Sequence, residues 1–246
     1  MPPENVAARP SLDEFREVCQ PISTMQRRNA EHWLAILFYR KVSLRITRHV
    51  VRAPVTANQL TVAMIVVGLA GAVVAAFPGV ATALAAAACI QIYFLLDLVD
   101  GEVARWHRAT SVVGVYLDRV GHYLVEAALL TAYGVRVGGG PDHLGGWAFA
   151  GLATGLFVVL AKAETDLVDT ARARSGYPAA SDGAATLRSS KLGLARRALS
   201  VARIHQSTGA LESSMLIALA AVLDAVFDGT LAQQTLVVAW LVIAGI

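Results

Sequence analysis

From Leu60 to Leu96 the chain carries no Asp, Glu, Lys or Arg. That run is too long for a soluble core helix and long enough for two bilayer crossings at roughly 20 residues each. Pro78-Gly79 interrupts it, a pair that ends one helix and turns the chain before the next. The composition agrees: 56% hydrophobic residues, 16% charged and a mean hydropathy of +0.55 over 246 residues describe a membrane protein rather than one or two soluble domains. The first fifty residues hold many charges and no apolar core at their start, so no cleavable signal peptide is expected. The first spanning helix then directs its own insertion.

Apolar segments fall at about 60–78, 80–99, 112–135, 146–171, 210–227 and 230–246, separated by short polar breaks. The expected fold is an all-α integral membrane protein of six transmembrane helices. Of 21 Lys and Arg, nine lie in residues 1–52, three are Arg105, Arg108 and Arg119, and seven lie in 172–203, while the opposite turns hold only Arg136. The positive-inside rule then places the N-terminus and all three basic groups in the cytoplasm. Residues 30–53 mix Trp33, Leu34, Leu37, Phe38 and Ile46 with Arg40, Lys41, Arg45 and Arg48, the composition of an amphipathic helix lying in the headgroup layer. Pro54 stops it, and Thr56 or Asn58 is placed to cap the first spanning helix. Two parts follow: an N-terminal cytoplasmic and interfacial extension, 1–53, and a six-helix membrane domain, 54–246. Residues 175–206 form a basic elbow between the fourth and fifth helices. Cys19 and Cys89 stand far apart in unlike settings, which argues against a disulfide or a thiolate metal site. The cations follow topology and lack interleaved aromatic stacking motifs, so no nucleic acid is expected.

A carboxylate at bilayer depth costs about 2.5–3.5 kcal/mol on insertion scales, so such groups pair, bind a cation or line an aqueous cavity. Asp97, Asp100 and Gly101 share one face near the end of the second helix, with Ala104 and Arg105 continuing it. Gly114, Asp118 and His122 recur every four residues at the start of the third. The two antiparallel stripes face one another at one depth. Three close aspartates repel unless a cation intervenes, and clustered carboxylates with room for water and phosphate oxygens suit Mg2+ or Mn2+. Gly101 and Gly114, where Gly costs about 1 kcal/mol relative to Ala, mark close helix packing or a ligand near the backbone. Arg105 either pairs with an aspartate or holds a diphosphate by bidentate hydrogen bonds.

The string Asp97-x2-Asp100-Gly101-x2-Ala104-Arg105-x8-Gly114-x3-Asp118-x3-His122 resembles the signature of the CDP-alcohol phosphotransferases in seven of eight positions. That family has aspartate at the last. Thr56-x-Asn58-x-Leu60-Thr61 is similar to the family's lead into its first helix, and the resemblance covers roughly residues 54–135. It implies a reaction in which an acceptor hydroxyl attacks the β-phosphorus of a CDP-linked alcohol, most simply CDP-diacylglycerol, releasing CMP and forming a phosphodiester. It also implies two divalent ions, Mg2+ or Mn2+, and a homodimer in the cell membrane with a cytoplasmic site. Carried over, Asp97, Asp100, Asp118 and His122 are metal ligands. Asp100, Gly101, Ala104, Arg105 and Gly114 border the CDP, and His122 and Asp118 are the catalytic pair.

His122 is the departure. Neutral imidazole binds metal and its ordinary pKa of about 6.5 suits a general base. The change removes a negative charge and tilts preference from Mg2+ toward Mn2+ or another nitrogen-tolerant ion. Two rival classes remain: a non-enzymatic relative that binds lipid or nucleotide as a scaffold, and an ion-coupled transporter, which the one-sided acidic group and lack of an inverted repeat disfavour. Lys162, Glu164, Asp166 and Asp169 are expected to pair among themselves at helical spacing, with acceptor binding as the alternative for Lys162. Glu126 either orients His122 or faces a helix partner. Lys191, Arg196 and Arg197 face lipid phosphates, or bind a phosphorylated acceptor. Glu102 and Arg119 belong to packing and topology.

Overall fold

A computed structural model describes residues 11–21, 38–178 and 204–245. Its helices in chain order are α1 (Leu12–Cys19), α2 (Arg40–Val50), α3 (Ala57–Ala75), α4 (Val80–Trp106), α5 (Val112–Val137), α6 (Gly146–Arg174), α7 (Ala210–Val226) and α8 (Leu231–Gly245), with a 3-10 turn at Ile204–Thr208. Among the described residues there is no strand. Helices α3 to α8 occupy the six apolar segments. Three of them, α3, α4 and α6, are long and apolar enough to cross a membrane. Helix α5 carries Asp118, Arg119, His122, Glu126 and Arg136. Helices α7 and α8, at 17 and 15 residues, fall short of the roughly 20 that a crossing takes.

The contacts divide the chain into two compact units: Met1–Val67 with Gln91–His122, and Gly68–Ile90 with Tyr123–Ile246. In the first, α1 opens on a capping box, with Glu14 N bound to Ser11 Oγ (3.2 Å) and Ser11 N to the Glu14 carboxylate (2.8 Å). The hydrogen bonds to Ser11 hold the Glu14 carboxyl below its ordinary value. Phe15 and Cys19, four apart and so on one face, are fully buried against Leu44 of α2. Phe15 also meets Trp106 at the end of α4, ring centroids 4.5 Å apart.

At the centre of this packing lies Glu102, fully buried. Gln20 Nε2 (2.7 Å), Ser43 Oγ (2.6 Å) and Thr47 Oγ1 (2.6 Å) all donate to its carboxylate. Glu102 is thus a packing residue, as expected, but its partners come from the N-terminal segment. Ser43, Leu44 and Thr47 form the buried face of α2. One face of that helix therefore packs on protein through a polar seam, while Lys41, Arg45 and Ile46 on its other side stay exposed. Cys19, for which the sequence suggested neither a disulfide nor a metal site, is a core residue packed with Phe15 and Leu44. Thr56 caps α3 in a reciprocal pair with Gln59, Gln59 N to Thr56 Oγ1 at 3.3 Å and Thr56 N to Gln59 Oε1 at 2.9 Å.

In the second unit, Gly134, Gly151 and Gly155 bring α5 and α6 into backbone contact. A Cβ at Gly151 would lie 2.6 Å from the Leu130 carbonyl oxygen, and one at Gly155 2.9 Å from that of Ala127. The Pro78-Gly79 turn has Gly79 at φ +112, a conformation that suits glycine. Buried Arg136 donates to the carbonyl oxygens of Phe77 and Gly79, to Thr82 Oγ1 (3.0 Å) and to Gln233 Oε1 (2.8 Å). Asp224 caps α8 through the backbone N–H groups of Ala232 (2.8 Å) and Gln233 (3.0 Å).

Candidate active site

Helices α4 and α5 are joined by the turn at 107–111. There Arg108 adopts left-handed backbone (φ 51), the Ala109 N–H closes onto Ala104 O (2.9 Å), and Ser111 Oγ caps α5 through the Gly114 N–H (2.9 Å). This reversal sets the Asp97–Arg105 stripe against the Gly114–His122 stripe. His122 Nε2 lies 3.2 Å from Asp97 Oδ1 and 3.4 Å from Asp118 Oδ1. The ligand atoms of these three residues all fall within 4.8 Å of one another.

Asp100 stands outside that trio. It is buried, and its Oδ2 accepts from Thr61 Oγ1 of α3 at 2.5 Å. Beside it opens a cleft of about 350 Å3 lined by Asp97, Asp100, Gly101, Ala104, Arg105, Gly114 and Asp118, together with Arg40, Asn58 and Thr61. His122 is not among the lining residues; it sits one turn beyond Asp118 on α5. The two glycines keep the cleft open to its polar groups. A Cβ at Gly101 would lie 3.1 Å from Arg105 Nη1, and one at Gly114 2.8 Å from Asn58 Oδ1. Arg105 Nε donates to Cys19 O at 2.6 Å, which anchors the guanidinium at the edge of the cleft.

The other nitrogen of His122, Nδ1, lies 2.7 Å from Tyr93 Oη. Tyr93 is almost fully buried and precedes Asp97 by one turn of α4. Sequence reasoning passed over it, although a polar tip four residues ahead of Asp97 lies on the same stripe. Of the two alternatives for Glu126, orienting His122 or facing a helix partner, the second is observed: it meets Lys162 of α6 at 2.6 Å. Tyr123 donates to Asp166. Two polar groups of α6, Lys162 and Asp166, thus find partners on α5, a neighbour that helical spacing alone did not point to. Lys162, a candidate for acceptor binding, is held in that pair. Lys191, Arg196 and Arg197 lie outside the described residues.

Two carboxylates and an imidazole converging within 4.8 Å, with a third carboxylate nearby and a cleft beside them, are a donor set that suits a divalent cation. The mixed nitrogen and oxygen donors fit Mn2+ as well as Mg2+. Residues 54–163 match the model of the CDP-alcohol phosphatidyltransferase family. The resemblance carried by the Asp97–His122 pattern is therefore shown over that region. Over 114 residues, 46% of this chain, the sequence is 39% identical to the "Bifunctional IPC transferase and DIPP synthase" of Aquifex aeolicus (strain VF5). The match spans about a quarter of that relative's length, 25%.

Proposed function

We propose that this chain, whose residues 54–163 carry the CDP-alcohol phosphatidyltransferase match, moves a phosphoalcohol from a CDP-linked donor to the hydroxyl of a polar acceptor. The observation that carries this reading is the convergence of Asp97, Asp118 and His122 on one point beside a cleft that also holds Arg105. The acceptor oxygen forms a bond to the β-phosphorus as the bond from that phosphorus to the bridging oxygen breaks, CMP leaves, and the acceptor's proton passes to a base of the protein. Asp118 and His122 are the two candidates for that base. A divalent ion held by Asp97, Asp118 and His122, with Asp100 nearby, would supply neutralisation of the diphosphate charge.

The remaining work falls to the chain. Arg105, tethered to Cys19 O, presents its terminal nitrogens to phosphate oxygens. Gly101, Ala104 and Gly114 leave room for the nucleotide. Thr61 fixes the Asp100 carboxylate in one orientation. The distribution of Lys and Arg supports six spans with the N-terminus and cleft facing the cytoplasm of a cell membrane. In that arrangement a lipid donor such as CDP-diacylglycerol enters from the bilayer and a soluble acceptor from the water. Inositol phosphate, glycerol phosphate, serine and other sugar alcohols are acceptors to compare, and the resemblance extends to a homodimer.

Purified protein in nanodiscs should release CMP from CDP-diacylglycerol with Mn2+ or Mg2+ and one member of that acceptor panel. Chelation should abolish release, and Asp97→Asn should lower it by at least about a hundredfold. Protein that binds neither a divalent cation nor the donor, with Asp97→Asn indistinguishable from wild type, would sink the reading.

One observation favours a second reading. Both ring nitrogens of His122 are engaged, by Tyr93 on one side and by Asp97 and Asp118 on the other. A histidine locked in this way is also compatible with a non-enzymatic relative that binds nucleotide or lipid. His122→Asp decides: CMP release gained only in the variant selects this second reading.

A further inference from the structure

The cleft's basic residues come from two parts of the chain. Arg105 lies inside the family match at 54–163, whereas Arg40 precedes it. We propose that Arg40 binds a phosphate group of the substrate and that Glu102 positions it, so that the segment before residue 54 completes the site. This rests on the phosphotransferase reading above.

Arg40 lines the same cleft as Asp97, Asp100 and Arg105. Its backbone is held firmly: Gln20 Nε2 donates to Arg40 O at 2.8 Å and to Glu102 Oε1 at 2.7 Å. Ser43 and Thr47 follow Arg40 by three and seven residues, so all three share one face of α2. With Ser43 and Thr47 both bonded to Glu102, α2 has a single register on α4, and that register brings Arg40 to the cleft. A buried carboxylate is an expensive way to join two helices, because apolar packing would serve stability as well. What a carboxylate with three directional donors adds is a fixed register. Arg105 shares the arrangement, since its Nε is bound to Cys19 O, at the end of α1.

Two guanidinium groups and three carboxylates lining one cleft fit a ligand that carries phosphate and shares a cation with the carboxylates. A planar fork recognises phosphate oxygens in pairs, which an ammonium does not. The phosphate belongs either to the diphosphate of the CDP-linked donor or to a phosphorylated acceptor.

Calorimetric titration of the full chain in detergent with Mn2+ separates these sources. CDP is titrated first, and inorganic phosphate is then titrated into CDP-saturated protein, with cytidine as the uncharged control. Arg40→Ala should weaken one of the two anions by about tenfold and leave cytidine unchanged. The weakened anion identifies the source. Glu102→Gln should weaken the same anion, and in CMP release both variants should raise KM for the substrate bearing that phosphate while kcat stays within about threefold of wild type. If Arg40→Ala does not fold, Arg40→Gln, which keeps the stem and loses the charge, decides by the same criterion. Wild-type affinity for both anions in the Arg40 variant overturns the proposal and leaves the phosphotransferase reading standing. Wild-type affinity in Glu102→Gln removes Glu102 from it. Wild-type protein that neither binds CDP nor releases CMP brings down the reading and this inference together.

Discussion

Tyr93 Oη lies against Nδ1 of His122 and so bears on where the ring proton sits. For Nε2 to offer its lone pair to a cation, the ring proton must sit on Nδ1 and be donated to Tyr93 Oη, 2.7 Å away. Removing that acceptor frees the ring to rotate and to change tautomer. Tyr93→Phe should therefore weaken Mn2+ binding, or CMP release, by about tenfold while the melting temperature holds, as a Mn2+ titration followed by electron paramagnetic resonance would show. Cys19 makes a different prediction. Burial pushes its thiol up to about 12, with the nearby Glu102 carboxylate adding to the rise. A thiol is nucleophilic only as thiolate, so in folded protein Cys19 should resist maleimide at pH 7–8. Labelling should appear above pH 11 or on unfolding, read by mass spectrometry; prompt modification at pH 7 would show that α1 is not seated as described. Neither residue was legible in sequence as a participant. The convergence of Asp97, Asp118 and His122 was legible, since helical spacing puts them on two stripes that the turn at 107–111 brings face to face. Tyr93 and Cys19 acquire their roles only from what packs against them.

At the scale of the element, glycine performs two unlike tasks. Gly101 and Gly114 clear space for Arg105 and Asn58 in the cleft, while Gly134, Gly151 and Gly155 allow α5 and α6 to touch backbone to backbone. Sequence reading marked Gly101 and Gly114 for close packing or ligand approach and passed over Gly134, Gly151 and Gly155, because the distinction depends on whether a side chain or a carbonyl lies opposite. Gly151→Ala puts a methyl carbon 2.6 Å from Leu130 O, and a carbonyl in a helix cannot swing aside. This variant should lose about 1–3 kcal/mol, seen as a lowered melting temperature in detergent, and should keep its metal affinity. Helix α2 shows the opposite limit of sequence reading. Its amphipathic pattern is visible, but the pattern does not reveal that the inward face carries hydroxyl groups for a buried carboxylate 55 and 59 residues later in the chain.

For the molecule as a whole, the uncharged run and the breaks around it located all six long apolar segments that became helices α3 to α8, with boundaries shifted by a few residues. Three of these meet the length and apolarity of a crossing, because the charged residues on α5 and the brevity of α7 and α8 dilute the signal. The Glu102 contact has a bearing on biogenesis. Ser43 and Thr47 leave the ribosome well before the carboxylate they serve, with α3 and most of α4 inserted in between. Helix α2 thus cannot reach its final packing until α4 has been delivered to the bilayer. Arrested nascent chains ending before Glu102 should be cut by protease within α2, and chains extended past Trp106 and clear of the exit tunnel should resist. The early segment would then act as a timer for assembly, closing only over an α4 that has been threaded correctly.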